Sequence, residues 1–187
     1  MSFSRLVYGL LFIISGVSAY YLLDTEKTFD IQVEPNVELP IFSGNEVQST
    51  SYDDQGLRNY VITSEHLDHF AKSGDTRFEK PVLKVFKQGV LQEWEITADS
   101  AVLDKHQVLT LTNHVLAKNL LADSGFDSLA TKTLSIQLNS RDFWADHPVT
   151  LIGAQFKTVG QTMKGNFADN TAVLYNHVQG RYETLIP

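Results

Sequence analysis

The sequence predicts an all-β domain carried behind a single N-terminal helix. Three observations predict it. Residues 6–23 form an uncharged, mostly apolar run. From residue 41 onward, apolar and polar side chains alternate with a period of two, and no apolar stripe of period 3.6 occurs. Turn-forming residues then interrupt the alternation at regular intervals.

The first element is the run LVYGLLFIISGVSAYYLL, 18 residues that as a helix rise about 27 Å, close to the hydrocarbon thickness of a bilayer. Arg5 flanks one end, and Asp24 and Glu26 flank the other. The positive flank places the N-terminus in the cytoplasm and everything after Asp24 outside. Ser15 and Ala19 form a small-xxx-small pair, with Gly16 and Gly9 on a neighbouring face, where another membrane helix can approach closely. The alternative is a cleaved signal peptide, for which Val17-Ser18-Ala19 supplies small residues. The apolar run continues beyond that cut, which favours retention as a single transmembrane anchor over residues 1–23.

Residues 24–40 contain two prolines, several charges and no helical period, and read as an extended tether. The strands follow, in a domain of residues 41–187. Trp94, Ile96 and Ala98 alternate with Glu93, Glu95 and Thr97. Leu109, Leu111 and Val115 alternate with Thr110, Thr112 and His114; Leu134, Ile136 and Leu138 alternate with Thr133, Ser135 and Gln137. Turns are expected at residues 53–56, 73–75, 88–89, 104–106, 139–140 and 179–180. Such spacing means antiparallel hairpins in a sandwich or jelly roll, because parallel sheets need crossover helices that the sequence lacks. The chain also repeats weakly. ADSAVL at residues 98–103 resembles ADNTAVL at 168–174, TKTLSI at 131–136 is a looser copy, and Asn113-His114-Val115 recurs as Asn176-His177-Val178.

Composition excludes several chemistries. There is no cysteine, so disulfides, thiolate catalysis and cysteine-ligated metals are ruled out. Net charge is −7, and residues 24–187 carry −8, which opposes nucleic acid as a partner and opposes broad electrostatic attraction of an anionic lipid. His66 and His69 point to opposite faces of a strand, and no metal-binding, P-loop, dinucleotide or nucleophile-elbow motif occurs. The expectation is a protein without catalytic residues, metal or cofactor. A paired-carboxylate hydrolase on a β scaffold has no positive support in the sequence.

An ordered set of short motifs carries a resemblance. It comprises the N-terminal anchor, YDDQG at 52–56, YVI at 60–62, FEKPVL at 78–83, WEITAD at 94–99, LIG at 151–153 and MKGN at 163–166. Together, over nearly the whole chain, they resemble the LptC family, the bitopic inner-membrane component of lipopolysaccharide export. The resemblance implies a twisted, open antiparallel β-jellyroll of the OstA-like kind in the periplasm. It implies lipopolysaccharide as cargo, received from an inner-membrane ABC transporter (LptF and LptG with the LptB ATPase) and passed to the periplasmic bridge protein LptA. Energy then comes from the transporter.

Inward-pointing candidates for an apolar lipid groove are Phe78, Val82, Trp94, Ile96, Leu111, Leu134, Ile136, Ala172 and Tyr182. By resemblance, partners add strands at the two ends. The first strand, with Glu46, Val47 and Tyr52, meets the transporter; Lys164, Phe167 and Arg181, within residues 164–167 and 181–185, meet the bridge protein. Gly56 and Gly153 sit beside these joints in sequence. The competing reading is a membrane-tethered adaptor that uses its sheet edges for protein partners only and has a filled interior.

Overall fold

The computed structural model describes residues 3–24, 38–121 and 125–182 of the chain, in two compact units, Met1–Val37 and Glu38–Pro187. In the first unit, helix α1 spans Phe3–Asp24, on the apolar run, and its 22 residues rise about 33 Å. Among the described residues no helix is long and apolar enough to cross a membrane, so a transmembrane role for α1 rests on the sequence. Ser15, Gly16 and Ala19 are exposed, and a Cβ added at Gly16 would meet nothing within 4 Å. The side chains around Gly9, residues 25–37 of the expected tether and residues 183–185 of the expected last strand lie outside the described residues.

The second unit is built from antiparallel strands, as the alternation predicts. The chain crosses it in successive passages, and each passage bends once. The passages are β1 (Phe42–Tyr52); β2 (Arg58–His69); β3 (Thr76–Glu79) with β4 (Val82–Lys87); β5 (Leu91–Thr97) with β6 (Ser100–Leu103); β7 (Val108–Asn119); β8 (Ser128–Gln137); β9 (Asp142–Ala145) with β10 (Val149–Gly153); β11 (Phe156–Gly160) with β12 (Thr162–Asn166); and β13 (Thr171–Tyr175) with β14 (Gln179–Tyr182). Each passage pairs only with its neighbours in sequence. The half of each passage on one side of its bend gives a first sheet, β1-β2-β3-β6-β7-β8-β9-β12-β13. The other halves give a second sheet, β1-β2-β4-β5-β7-β8-β10-β11-β14. The long strands belong to both: residues 66–69 of β2 pair with β3, and residues 60–63 pair with β4.

Four of the bends carry residues in the left-handed conformation that turns a strand. Glu46 (φ 52°), Lys80 (φ 45°), Asn113 (φ 62°), His114 (φ 47°), Asn176 (φ 59°) and His177 (φ 51°) all adopt left-handed backbone at bends. Asn and His are among the side chains enriched there. In β7 the register slips between Thr112 and Val115, so Asn113 and His114 form a bulge that carries the strand from one sheet to the other. Neighbouring bends are tied together. His114 Nδ1 lies 2.7 Å from an Asp99 carboxylate oxygen, Lys80 Nζ lies 2.9 Å from Glu65, and the Thr131 hydroxyl donates to the Pro148 carbonyl at 3.1 Å.

The weak sequence repeat is therefore partly structural. Both Asn-His-Val copies are strand bends. Residues 98–99 also form a bend, whereas 168–169 lie in the turn before β13, so that pair of motifs is not equivalent. Five expected turns are present. They are closed by backbone bonds such as Gly56 N–H to the Asp53 carbonyl at 2.9 Å and Gln107 N–H to Asp104 at 3.1 Å. The turn expected at Gln179-Gly180 is absent. Those residues open β14, because the chain already bends at Asn176-His177.

The inward faces of the two sheets share one core. Leu83, Trp94, Ile96, Leu109, Leu111, Leu129, Leu134 and Val149 are fully buried. Leu109, Leu111 and Val115 all point inward, as do Leu134, Ile136 and Leu138, which is the predicted alternation. Phe167, in the turn after β12, packs its ring 4.2 Å from Phe143 of the first sheet and 4.8 Å from Trp94 of the second.

Candidate functional site: the interior and its mouth

One long side of the interior is closed covalently by the bends. The opposite side is a mouth between two rows of chain ends. The first sheet contributes the turns at residues 70–75, 104–107, 138–141 and 167–170; the second contributes those at 53–57, 88–90 and 154–155, and residues 120–121 and 125–127.

Polar and aromatic ties cross this mouth. The Trp94 indole N–H donates to the Phe167 carbonyl at 3.2 Å. The Asn119 amide donates to the Asn170 side-chain carbonyl at 3.0 Å. Arg141 reaches from the first sheet to the second, donating to Asn59 Oδ1 at 2.7 Å, the Phe86 carbonyl at 2.8 Å and Glu93 Oε2 at 3.4 Å. Beneath Arg141, a cavity of only about 10 Å³ lies between Tyr60, Leu83, Val85, Ile136, Leu138 and Phe167. At this point the two sheets pack directly against each other. A larger hollow, about 470 Å³, lies elsewhere, lined by Trp144, Lys164 and Gly165 among others.

Glu93 was expected to face solvent and is instead 1% exposed. The cause is a β-bulge: Val85 pairs with Trp94 and Phe86 with Gln92, leaving Glu93 as the extra residue. The bulge turns Glu93 and Trp94 inward together, so period-two counting misassigns Glu93. No short motif signals it; the only cue is a hairpin turn two residues upstream of Leu91. Lys87 Nζ lies 3.5 Å from Glu93 Oε1, and among the described residues that oxygen has no hydrogen bond.

The turn that bears Arg141 is firmly held. Arg141 has φ 64°, its carbonyl accepts from the Phe167 N–H at 3.0 Å, and its N–H donates to the Gln137 carbonyl at 2.8 Å. The neighbouring Asp142 accepts from the Ser140 hydroxyl at 2.6 Å and the Asn166 amide at 2.8 Å. These two donors, Ser140 first, hold the Asp142 carboxyl below its ordinary value.

Of the predicted groove residues, Phe78, Trp94, Ile96, Leu111, Leu134 and Ile136 are buried in the shared core, and Ala172 packs against it half-buried. Two are placed differently. Val82 alternates with the inward Leu83 and lines a surface hollow with Glu46 and Lys80, so it faces outward. Tyr182 is 78% exposed on β14, its ring 6.3 Å from Phe156. Residues that sequence reasoning missed are Phe143 and Met163 in the core and Asn59, Glu93 and Arg141 at the mouth.

Among the described residues, the free edges are β1 at one end and β13 with β14 at the other, since each pairs on one side only. Glu46, Val47 and Tyr52 do lie on the first edge. Arg181 is exposed on β14, opposite Lys157. Lys164 does not lie on an edge, because β12 pairs with both β9 and β13. Phe167 is no surface residue either, being 1% exposed. The exposed apolar side chains of the last edge are Val173, Tyr175, Val178 and Tyr182. Gly56 takes φ 77° in the first turn. At Gly153 a Cβ would come within 2.3 Å of the Phe156 ring, so this glycine serves the β10–β11 hairpin directly.

These features define a bent-strand β-jellyroll with an apolar interior and a free strand edge at each end. A family model described as lipopolysaccharide-assembly, LptC-related, matches residues 8–183; the chain belongs to the LptC family. It is 28% identical over 158 residues to the lipopolysaccharide export system protein LptC of Escherichia coli (strain K12), covering 84% of this chain and 83% of that protein. It is 24% identical over 181 residues to the protein of the same name from Haemophilus influenzae, covering 88% and 87%. Among solved structures, it resembles LptH of Pseudomonas aeruginosa, described as the LptA homologous periplasmic component of the lipopolysaccharide transport device. The TM-score is 0.54 at 10% identity, over 67% of this chain and 95% of that one. At that identity the likeness is one of fold.

Proposed function

We propose that this chain is a non-catalytic component of lipopolysaccharide export. The observation that carries the reading is the continuous apolar interior between two sheets, bounded at each end by an unpaired strand edge. Acyl chains seated between the sheets are held by apolar contact, about 0.8 kcal/mol for each methylene kept from water, and not by broad charge attraction. An unpaired edge is a liability unless a partner adds its own strand there. Edge pairing at β1 with the transporter formed by LptF, LptG and LptB, and at β13–β14 with LptA, would align successive interiors into one path. Helix α1 is the single-pass inner-membrane anchor of this reading, with a cytoplasmic N-terminus and the β-domain in the periplasm. Its support is the charge-free run of residues 6–23 with Arg5 before it.

The test is a photo-crosslinking phenylalanine analogue at Phe78 and Phe143, which are aromatic and inward, with the outward Val82 and Val102 as apolar controls. In cells making lipopolysaccharide, adducts to that lipid are expected at the inner positions only and only while ATP is supplied. Adducts confined to proteins would select the edge-only adaptor, for which a permanently filled interior suffices.

A further inference from the structure

We infer that Arg141 and Lys87 form a site for the phosphate of a lipid headgroup at the mouth, and that the Arg141–Glu93 contact is the latch this headgroup opens. The inference rests on the lipid-carrier reading and adds to it the position of the headgroup.

The bends close one side of the interior, so a lipid with chains between the sheets must put its polar headgroup out through the mouth. Arg141 stands across that mouth, and the sheets cannot part there without breaking its bonds to Asn59, Phe86 and Glu93. The bond to Glu93 is the weak one. At 3.4 Å it is longer than a tight charge-assisted hydrogen bond, and Lys87 stands off at 3.5 Å. Glu93 is 1% exposed, yet its Oε1 has no hydrogen bond. A buried carboxylate held this loosely is a poor partner for a guanidinium, whereas a phosphate accepts its planar fork through two bonds.

The local charge favours the exchange. Arg141 and Lys87 flank a single carboxylate, Glu93, while Arg58 is fixed 3.8 Å over the Phe86 ring with its Nε donating to the Gly89 carbonyl. The adjacent Asp142 is occupied by Ser140 and Asn166. Arg141, Lys87 and Glu93 together leave one net positive charge at this point, on a domain whose total charge is negative. When a phosphate draws Arg141 outward, the charged tie between the lips is broken, Lys87 stands between Glu93 and the phosphate, and only the Trp94–Phe167 and Asn119–Asn170 bonds still cross the mouth.

The test uses the full chain in detergent micelles with fluorescent lipopolysaccharide, intact or enzymatically dephosphorylated. Arg141→Gln is expected to weaken binding of the intact lipid about tenfold and of the dephosphorylated lipid less than about twofold. Arg141→Lys, which keeps the charge and the fold but loses the fork, falls between. The chain has no cysteine, so Asn119→Cys with Asn170→Cys makes a lock across the same mouth. The oxidised lock is expected to bind neither lipid, and reduction to restore both. Equal losses for the two lipids in Arg141→Gln and Arg141→Lys would overturn the headgroup assignment. Unchanged binding in the oxidised lock would overturn the latch. Displacement of the lipid by millimolar inorganic phosphate alone would overturn the lipid-headgroup source. If the unaltered chain binds neither lipid, the carrier reading falls together with this one.

Discussion

The indole N–H of Trp94 donates to the backbone carbonyl of Phe167 across 73 residues of sequence, with the two rings 4.8 Å apart. Both residues are fully buried, Trp94 on the second sheet and Phe167 in the turn that closes the first. One side chain thus supplies packing and a hydrogen bond where the two sheets meet opposite their bends.

Trp94→Phe keeps most of the ring but leaves the Phe167 carbonyl without its partner, and is expected to cost about 1–3 kcal/mol. Trp94→Ala adds a cavity beside Phe126 and Phe167 and is expected to cost about 3–5 kcal/mol. Urea unfolding measures both, and a Trp94→Phe midpoint equal to that of the unaltered chain would show that the indole N–H contributes nothing.

At Gly165 in β12, an added Cβ would lie 2.2 Å from the Thr171 carbonyl and 2.4 Å from the Phe143 ring. The first neighbour is backbone of β13, so the clash is relieved only by moving the terminal strand. Gly165→Ala is expected to destabilise by about 1–3 kcal/mol. Amide hydrogen exchange should rise first at β13 and β12, while β2 and β4 stay protected.

The Asp142 carboxyl titrates below its ordinary value because Ser140 and then Asn166 donate to its charged form. A carboxyl lowered in the folded state contributes stability that is present above its unfolded pKa and lost as pH falls through the folded one. The turn carrying Arg141 is therefore expected to loosen only in acid, below the usual carboxylate range. Asn166→Ala should raise the Asp142 pKa toward the ordinary value, as read by carboxyl NMR titration. A titration unchanged by that substitution would mean that Asn166 does not hold the carboxylate.

Sequence showed the alternating strands well, because half-buried strands write their burial into a period of two: Leu109, Leu111, Leu134 and Ile136 all point inward as expected. It showed that Asn-His-Val recurs, but not that both copies bend a strand between two sheets, since left-handed backbone has only a statistical signature in Asn and His. Val82 was misplaced because the chain bends at Lys80 and Pro81, which resets the alternation between Phe78 and Leu83. Glu93 was misplaced by a bulge. Arg141 was invisible because its partners at Asn59, Phe86 and Glu93 lie 48 to 82 residues away, and only the closed fold brings them together. Periodicity reports a strand's faces; it does not report which turns meet across a mouth.

The central claim is that the two sheets part at their mouth to take a lipid. The direct measurement is the distance between spin labels at Val90 and Asn139, exposed turn residues on opposite lips, in the full chain carrying only those two introduced cysteines. Pulsed electron resonance should give one short distance without lipid and a longer, broader distribution when lipopolysaccharide is added. A distribution that does not change while lipopolysaccharide is bound would contradict the claim and put the lipid somewhere other than between the sheets.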